Sequence, residues 1–535
     1  MTFSARLSSS LAPEDRSRQR PMKSPSDQDL VFAFLGDTSR HPDVRRIDTH
    51  AASVFLFGDR ALKIKRAVRL PFLDYSTLAQ RKAACAKELE INRPFAPDVY
   101  LRVIAITKAP DGSLDIDGSG TPLEYAIEMR RFDDSRTLDH LAARCQLGAD
   151  LARQLAETIA ASHQAAAQVY SGEWGNSLPR WIEAFVTSFR TSRRFPEPEI
   201  GKLALLCQSA FSRLQPLLER RSAEGYVRRC HGDLHLANIV VIDGKPVLFD
   251  AIEFDDRIAT IDVLYDLAFP LMDLLHFEQR IAANHLLNRY LLIAAPDQKG
   301  GLAALPLFLT IRAAIRAQVY LAKLDRDRAD HPDLDGPATF EVAKSYLELA
   351  CKLIQPTVPR MIAVGGLSGT GKSALAQALA PLLVPPPGAI VLRSDVVRKQ
   401  LFAKKETDRL PANAYTPESS ARVYQALMTQ ADRVLTQGFT VIVDAVFARP
   451  DEREEIHGLA KRLNVPFAGL FLVADLRVRQ DRIHHRVNDA SDATVAVAEE
   501  QERYQLGAVN WLKVDASGTL DATLNHSMSL LDISD

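Results

Sequence analysis

The sequence predicts two domains of different class in one chain: an α+β bilobal domain, strand-rich and then helical, followed by an α/β domain with a parallel sheet. Three observations carry this expectation. At 535 residues the chain exceeds what one hydrophobic core organises. Residues 50–130 read as strands around a single helix, "TLAQRKAACAKELEINR", whereas 135–225 and 262–354 have helical period. In "KLIQPTVPRMIAVGG" a helical pattern ending near Leu353 meets Pro356 and Pro359, and beyond it strands and helices alternate, as a helix-covered parallel sheet requires. The expected divisions are a tail over 1–28, a first domain over 29–356 and a second over 357–535.

Composition is that of a soluble globular protein, 47% hydrophobic and 25% charged. A formal net charge of -1 provides no global attraction to nucleic acid or to an acidic membrane, so any polyanion site must be local. The five cysteines, Cys85, Cys145, Cys207, Cys230 and Cys351, are scattered without a C-x-x-C pair, which points to a reducing, cytoplasmic setting. No stretch reads as the roughly 18 to 20 uninterrupted apolar residues of a membrane span. Residues 1–28 are rich in Ser, Arg and Pro and lack the apolar core of a signal peptide, so they read as a disordered tail.

In the second half, "GLSGTGKS" fits G-x-x-x-x-G-K-S/T with a strand before it and a helix after it. Gly366, Ser368, Gly369, Thr370 and Gly371 would wrap backbone N–H groups around phosphate oxygens, Lys372 would reach the outer phosphates, and the Ser373 hydroxyl could ligate Mg²⁺. In an open parallel sheet ligands gather at the carboxyl ends of strands. "AIVLRSDVVR" places Asp395 there, able to accept a proton from an attacking hydroxyl or simply to cap the next helix, and Arg398 one turn later, able to hold the acceptor or the transferring group. "TVIVDAVF" places Asp444 at another strand end, where it would act on Mg²⁺ or its water. Arg479, Arg482 and Arg486 have helical spacing and share a predicted face, either solvated or a lid over ATP; Arg482 is the candidate lid residue.

These features over residues 360–512 resemble the small P-loop kinases of the polynucleotide kinase, chloramphenicol phosphotransferase and zeta-toxin type. The resemblance implies phosphorylation of a hydroxyl without specifying the acceptor.

In the first half, "RRCHGDLHLANIVV" holds His231, Asp233, His235 and Asn238 in an apolar run. A helical zinc pair fits poorly, because Gly232 would sit inside the helix at a cost of about 1 kcal/mol and no third ligand has a recognisable spacing. Simple core packing would have to satisfy four polar groups, each costing about 1 to 3 kcal/mol if left alone. The turn at Asp243 and Gly244 folds "NIVVI" against "PVLFD", setting Asn238 opposite or diagonal to Asp250, a pairing that suits Mg²⁺.

Asp233, Asn238 and Asp250 resemble in order and spacing the catalytic Asp, metal-binding Asn and metal-binding Asp of the protein-kinase fold, and the H-G-D-L-H form resembles its aminoglycoside phosphotransferase and choline kinase branch. "DVLYDLAF", with Asp266, looks like the same branch. By that resemblance Lys63 in "RALKIKR" is the ATP-pairing lysine, with Lys65 its competitor on the same strand face, Glu88 its ion-pair partner, and Met129 near the adenine hinge. The phosphate-covering turn lacks G-x-G-x-x-G, so Ser53 and nearby N–H groups are expected to serve.

Together these readings describe a bifunctional ATP- and Mg²⁺-dependent phosphotransferase acting on hydroxyls of small molecules. A catalytically silent first domain sensing nucleotide, or a nucleic-acid 5′-hydroxyl kinase, are the alternatives; the balanced charge disfavours the second. Glu253, Asp255 and Asp256 read either as an acidic acceptor site or as a solvated turn, and Arg312 and Arg316 as acceptor-facing or water-facing. The sequence sets no oligomeric state.

Overall fold

The computed structural model of the protein describes residues 26–70, 73–170, 174–330, 336–486 and 489–533. Most of the expected tail, residues 1–25, lies outside these. Ser26 to Gln28 do not belong to a tail: Ser26 caps helix α1 (Asp27–Leu35) in a reciprocal capping box with Asp29, and Gln28 is buried, donating to Lys65 O at 3.0 Å and Glu124 Oε2 at 2.7 Å.

The described residues form two compact units. One holds the chain up to Gln146 with Ala165–Ser188 and Ser222–Phe269. Its antiparallel sheet runs in the order β1-β2-β3-β6-β4-β5, with β1 Arg45–Asp48, β2 Ala52–Phe57, β3 Arg60–Lys65, β4 Tyr100–Lys108, β5 Leu114–Ile116 and β6 Thr121–Arg130. Successive side chains of β3 point to opposite faces. Leu62 and Ile64 join Val31 and Leu35 of α1 in one core; Ala61 joins Cys85 and Tyr100 in another, on the face covered by helix α2 (Leu78–Asn92). Lys63 and Lys65 follow Ala61 on the α2 face, which brings both to Glu88. A hairpin of β7 (Ile239–Ile242) and β8 (Lys245–Leu248) turns at Asp243 and Gly244, both at positive φ (50° and 78°) as a two-residue hairpin turn demands. Ile239 pairs with Leu248, so Asn238 stands diagonal to Asp250.

The other unit holds Leu147–Gln164, Phe189–Arg221 and everything from Pro270 onward. Within it helix α3 (Arg280–Ile293) and the long helices to Leu353 precede a five-stranded parallel sheet in the order β10-β11-β9-β12-β13. These strands are β9 Met361–Gly366, β10 Ile390–Arg393, β11 Val441–Asp444, β12 Phe467–Val473 and β13 Leu512–Asp515. Four follow the sequence reading; β13 was not anticipated, since "LKVD" is short and mixed. Ile362, Val364, Leu375, Ile442 and Leu472 form its core. One helical stretch, Lys299–Arg326, is apolar and long enough to cross a membrane, contrary to the expectation that none is, and 67% of its apolar window is buried inside the protein. That burial is what a core helix shows.

Candidate active sites

In the first unit five charged groups alternate along a line that runs inward from Asp250, whose side chain is 30% exposed, to buried Glu88 and Lys65. Asp250 Oδ1 accepts from Lys63 Nζ at 2.5 Å, and Lys63 lies 2.6 Å from Glu88 Oε1. The other oxygen of Glu88 lies 2.5 Å from Lys65 Nζ, which donates to Glu253 Oε1 at 2.6 Å. Glu88 is 0% exposed and Lys65 1%. Burial opposes charge on Lys63, but Asp250 and then Glu88 outweigh it and hold the ammonium well above its ordinary range. Lys65 is likewise held up, against burial, by Glu88 and Glu253. Glu88 and Asp250 stay below the usual carboxylate range because their lysines overcome desolvation, whereas burial wins at Glu253 and raises it. Three carboxylates against two ammoniums leave one negative charge in excess, a field that favours a cation.

Local geometry fixes the two expected cation ligands. Asp250 has a positive φ of 61°, and its N–H donates to the Tyr100 hydroxyl at 3.2 Å. Asn92, the last residue of α2, grips Ala251 from both sides, accepting its N–H at 2.7 Å and donating to its carbonyl at 3.2 Å. Sequence reading missed both Tyr100 and Asn92. Asn238 Nδ2 donates to Asp233 O at 2.9 Å, which uses the amide's donor and keeps its oxygen, the atom a hard cation takes, out of that bond. Gly232, at φ 85°, donates its N–H to buried Asp266 at 2.9 Å, and a Cβ there would press on Ala259 at 3.1 Å. His231 donates Nε2–H to Phe249 O at 2.9 Å and packs edge-on to Phe95; burial lowers its pKa, so it braces the loop as neutral imidazole.

Several expectations change here. Ser53 does not stand on the phosphate-covering turn: it is buried within β2, opposite Ile64, and donates to Asp48 at 2.6 Å. The residues between β1 and β2 are Thr49–Ala51. Glu88 takes both Lys63 and Lys65, so its ion pair does not by itself choose between the two lysines. Glu253 is neither acceptor-facing nor solvated, being the buried partner of Lys65. Asp255 caps a short helix at Arg257 N, and Asp256 pairs with Arg229. In the second unit Arg312 is buried, and half-buried Arg316 lies over the Tyr320 and Tyr346 rings.

The second site opens at the carboxyl ends of β9, β10 and β11 around a cavity of about 1530 Å³, large enough for two ligands. Gly366 has φ 136°, and its Cβ would lie 2.6 Å from Leu472 O; Gly369 has φ 85°, and its Cβ would lie 2.6 Å from Arg479 O. Only glycine fits either position. Gly371 caps helix α4 (Lys372–Leu379), and Ser368 to Ser373 line the cavity, Thr370 among them. Lys372 Nζ donates to Leu367 O at 3.0 Å, and burial lowers its pKa against the pull of Asp444 and Asp395. Ser373 Oγ donates to Asp444 Oδ2 at 2.5 Å, a hydroxyl and a carboxylate set side by side.

Asp395 lies in the first turn of helix α5 (Ser394–Leu401); burial and then the nearby Asp444 charge raise its pKa despite Arg393 and Lys372. Arg398, 8% exposed, donates to Ala414 O at 2.5 Å, lies over the Tyr415 ring and lines the same cavity. Arg393, unnoticed two residues before Asp395, lies 3.4 Å from Asp444 and 3.2 Å from Asp489.

The lid arginines divide differently from their spacing. Helix α6 (Leu476–His484) ends before Arg486, so the three do not share one helical face. Arg479 is buried under the loop, donating to Ser368 O at 2.8 Å and pairing with Glu502. Arg482 donates to Gly518 O at 2.8 Å and Thr370 O at 3.4 Å, while Arg486 lines the cavity. Gln501, at the end of helix α7 (Val495–Gln501), accepts from Ser368 N at 2.7 Å and donates to Ser368 Oγ at 3.0 Å; nothing in its sequence context marks it.

Both donor sets, Asn238 with Asp250 and Ser373 with Asp444, are oxygen-only and fit a hard divalent cation.

Residues 43–302 match the profile of the phosphotransferase enzyme family, and residues 361–506 match an AAA domain. An uncharacterized protein of Mycobacterium tuberculosis (strain H37Rv) and one of Mycobacterium bovis are each 28% identical over 515 residues, covering 95% of this chain and 98% of the relative, so the alignment runs through both segments. Among solved structures, a choline/ethanolamine kinase family protein from Mesorhizobium loti (14% identity, TM-score 0.36) covers 61% of this chain and 99% of its own. An APS kinase of Mycobacterium tuberculosis (21% identity, TM-score 0.27) covers 33% and 99%. The chain thus carries a segment that matches the phosphotransferase enzyme family and a segment that matches an AAA domain, which supports phosphotransfer as its chemistry.

Proposed function

We propose that the chain is a bifunctional ATP- and Mg²⁺-dependent phosphotransferase that phosphorylates hydroxyl groups of small molecules at two separate sites, one within residues 29–356 and one within 357–535. The observation that carries the reading is that each segment has its own lysine beside its own oxygen-only donors: buried Lys63 beside Asp250, to which Asn238 stands diagonal, and half-buried Lys372 near Ser373 and Asp444.

In the first site Asp233 takes the proton of the acceptor hydroxyl, Asn238 and Asp250 hold Mg²⁺, and Lys63, kept in register by Glu88, orients phosphate. For Asp250 to serve, Lys63 exchanges that carboxylate for phosphate oxygens while Lys65 keeps Glu88 neutralised. In the second, the N–H groups of Gly369 to Ser373 and Lys372 hold phosphate, Ser373 and Asp444 hold Mg²⁺, and Asp395 is the base. Arg398 holds the acceptor, and Arg482 and Arg486 supply positive charge where negative charge develops. Bound Mg²⁺·ATP supplies the transferable γ-phosphoryl group. The raised pKa of Asp395 suits a base that must accept a proton near neutral pH.

An untargeted phosphorylation screen with ATP, Mg²⁺ and a panel of hydroxylated metabolites tests this on wild type, Asp233→Asn and Lys372→Ala. Each variant is expected to lose its own product and keep the other. Absence of any phosphorylated metabolite with wild type would remove the proposal.

A further inference from the structure

In the P-loop sheet β10 is an edge strand, paired among the described residues only with β11. An open edge presents alternate N–H and C=O groups outward, ready to slide, fray or pair with another chain. Here Ile390 N donates inward to Thr440 O at 2.9 Å, and Ala389 O and Val391 N are among the groups that face outward. Both are met by side chains of α3, which lies within residues 43–302. Asn288 Oδ1 accepts Val391 N–H at 2.8 Å while its Nδ2 donates to Ala389 O at 3.1 Å. An asparagine amide has the donor and acceptor of a peptide group, so this one side chain does for β10 what a neighbouring strand would.

Asn284, one helical turn earlier and 3% exposed, donates to Ala389 O at 3.1 Å and Pro387 O at 3.2 Å. Gly388, at φ 120°, admits it: a Cβ there would lie 2.7 Å from Asn284 Nδ2. Flanking contacts hold the same face: Arg433 donates to Asp297 at 2.7 Å, and Arg289 joins Glu157 at 2.7 Å to Glu406. What β10 delivers is catalytic in the reading above. Two residues beyond Val391, Arg393 reaches Asp444 and Asp489, and Asp395 follows at once.

We propose that Asn288, supported by Asn284, is a positioning residue of the P-loop reaction: α3 sets the edge strand and through it the placement of Asp395 against Ser373 and Asp444. The phosphotransferase-family segment thereby supplies part of the scaffold of the second site. The inference rests on Asp395 being the base of that site.

The test uses the full chain in an Asp233→Asn background, with ATP hydrolysis by water in the presence of Mg²⁺ as the probe reaction. Asn288→Leu is expected to speed amide exchange over residues 388–398 and to leave exchange over 361–373 and binding of a fluorescent ATP analogue unchanged. It is also expected to lower kcat about tenfold at constant KM for ATP, as small misplacements of a catalytic group do, and to shift the acid limb of the kcat profile. Asn288→Asp, which keeps the acceptor for Val391 N–H, should recover part of the loss. A lowered Tm with wild-type kcat and pH limb, or an equal loss of ATP-analogue binding, overturns the proposal. Asp395→Asn in parallel separates the two ideas: unchanged turnover there overturns the base assignment, and lost turnover there with wild-type kcat in Asn288→Leu overturns the clamp.

Discussion

Lys65 Nζ lies 2.5 Å from Glu88 Oε2, on the opposite oxygen from the one that meets Lys63. Glu88 therefore keeps a counter-ion when Lys63 turns to phosphate. Replacing Lys65 by Met would leave Glu88 and Glu253 buried beside too little positive charge, and breaking a buried pair this way costs about 3 to 5 kcal/mol. Urea unfolding followed in the first unit should show that loss, with Lys65→Met/Glu253→Met recovering most of it. Equal stability of Lys65→Met and wild type would contradict the five-charge arrangement.

Asp395 yields a pH prediction with a definite sign. Its folded pKa is raised above 3.8, so the folded protein binds the proton more tightly than the unfolded chain does. The stability it contributes is present below the unfolded value and is lost as pH rises through the folded value, while activity needs the ionised form and rises over the same range. Asp395→Asn should thus lose turnover yet be more stable than wild type at neutral pH, with the gain shrinking as the buffer is taken toward pH 4. Thermal melts across pH decide it, and a destabilised variant at neutral pH would count against a desolvated carboxylate.

Ser373 and Asp444 should behave as one cation site. Ser373→Ala and Asp444→Asn are each expected to raise the Mg²⁺ concentration needed for half-maximal ATP-analogue binding at the P-loop. Together they should cost less than their sum, with a coupling of about 0.5 to 3 kcal/mol as expected for groups sharing a partner. Strict additivity in the double-mutant cycle would separate the two residues.

Gly369→Ala tests the loop. The added methyl meets Arg479 O at 2.6 Å on a backbone at φ 85°, so the loop and α6 cannot both keep their places. ATP-analogue binding at the second site should fall at least about tenfold, equivalent to roughly 1.4 kcal/mol. Products of the first site should persist; loss of both products together would point to global misfolding instead.

What the chain determines locally could be read directly. The phosphate loop lies between one strand and one helix, the Asp233 to Asn238 spacing is a single short loop, and the two-residue turn at Asp243 and Gly244 sets the hairpin register that brings Asn238 beside Asp250. Each depends on neighbours a few residues away, where periodicity and turn chemistry act. What only tertiary structure decided depends on distant partners: Lys65 meets Glu253 across 188 positions, and Asn288 meets Val391 across 103. A lysine on a strand or an asparagine on a helix has no local signature for such a role. Ser53 and Arg486 show the converse, since strand pairing buried the one and an early helix end carried the other off its expected face. Motif chemistry is written in short-range spacing; which charges are neutralised, and which edge is held, follow from the burial that folding imposes.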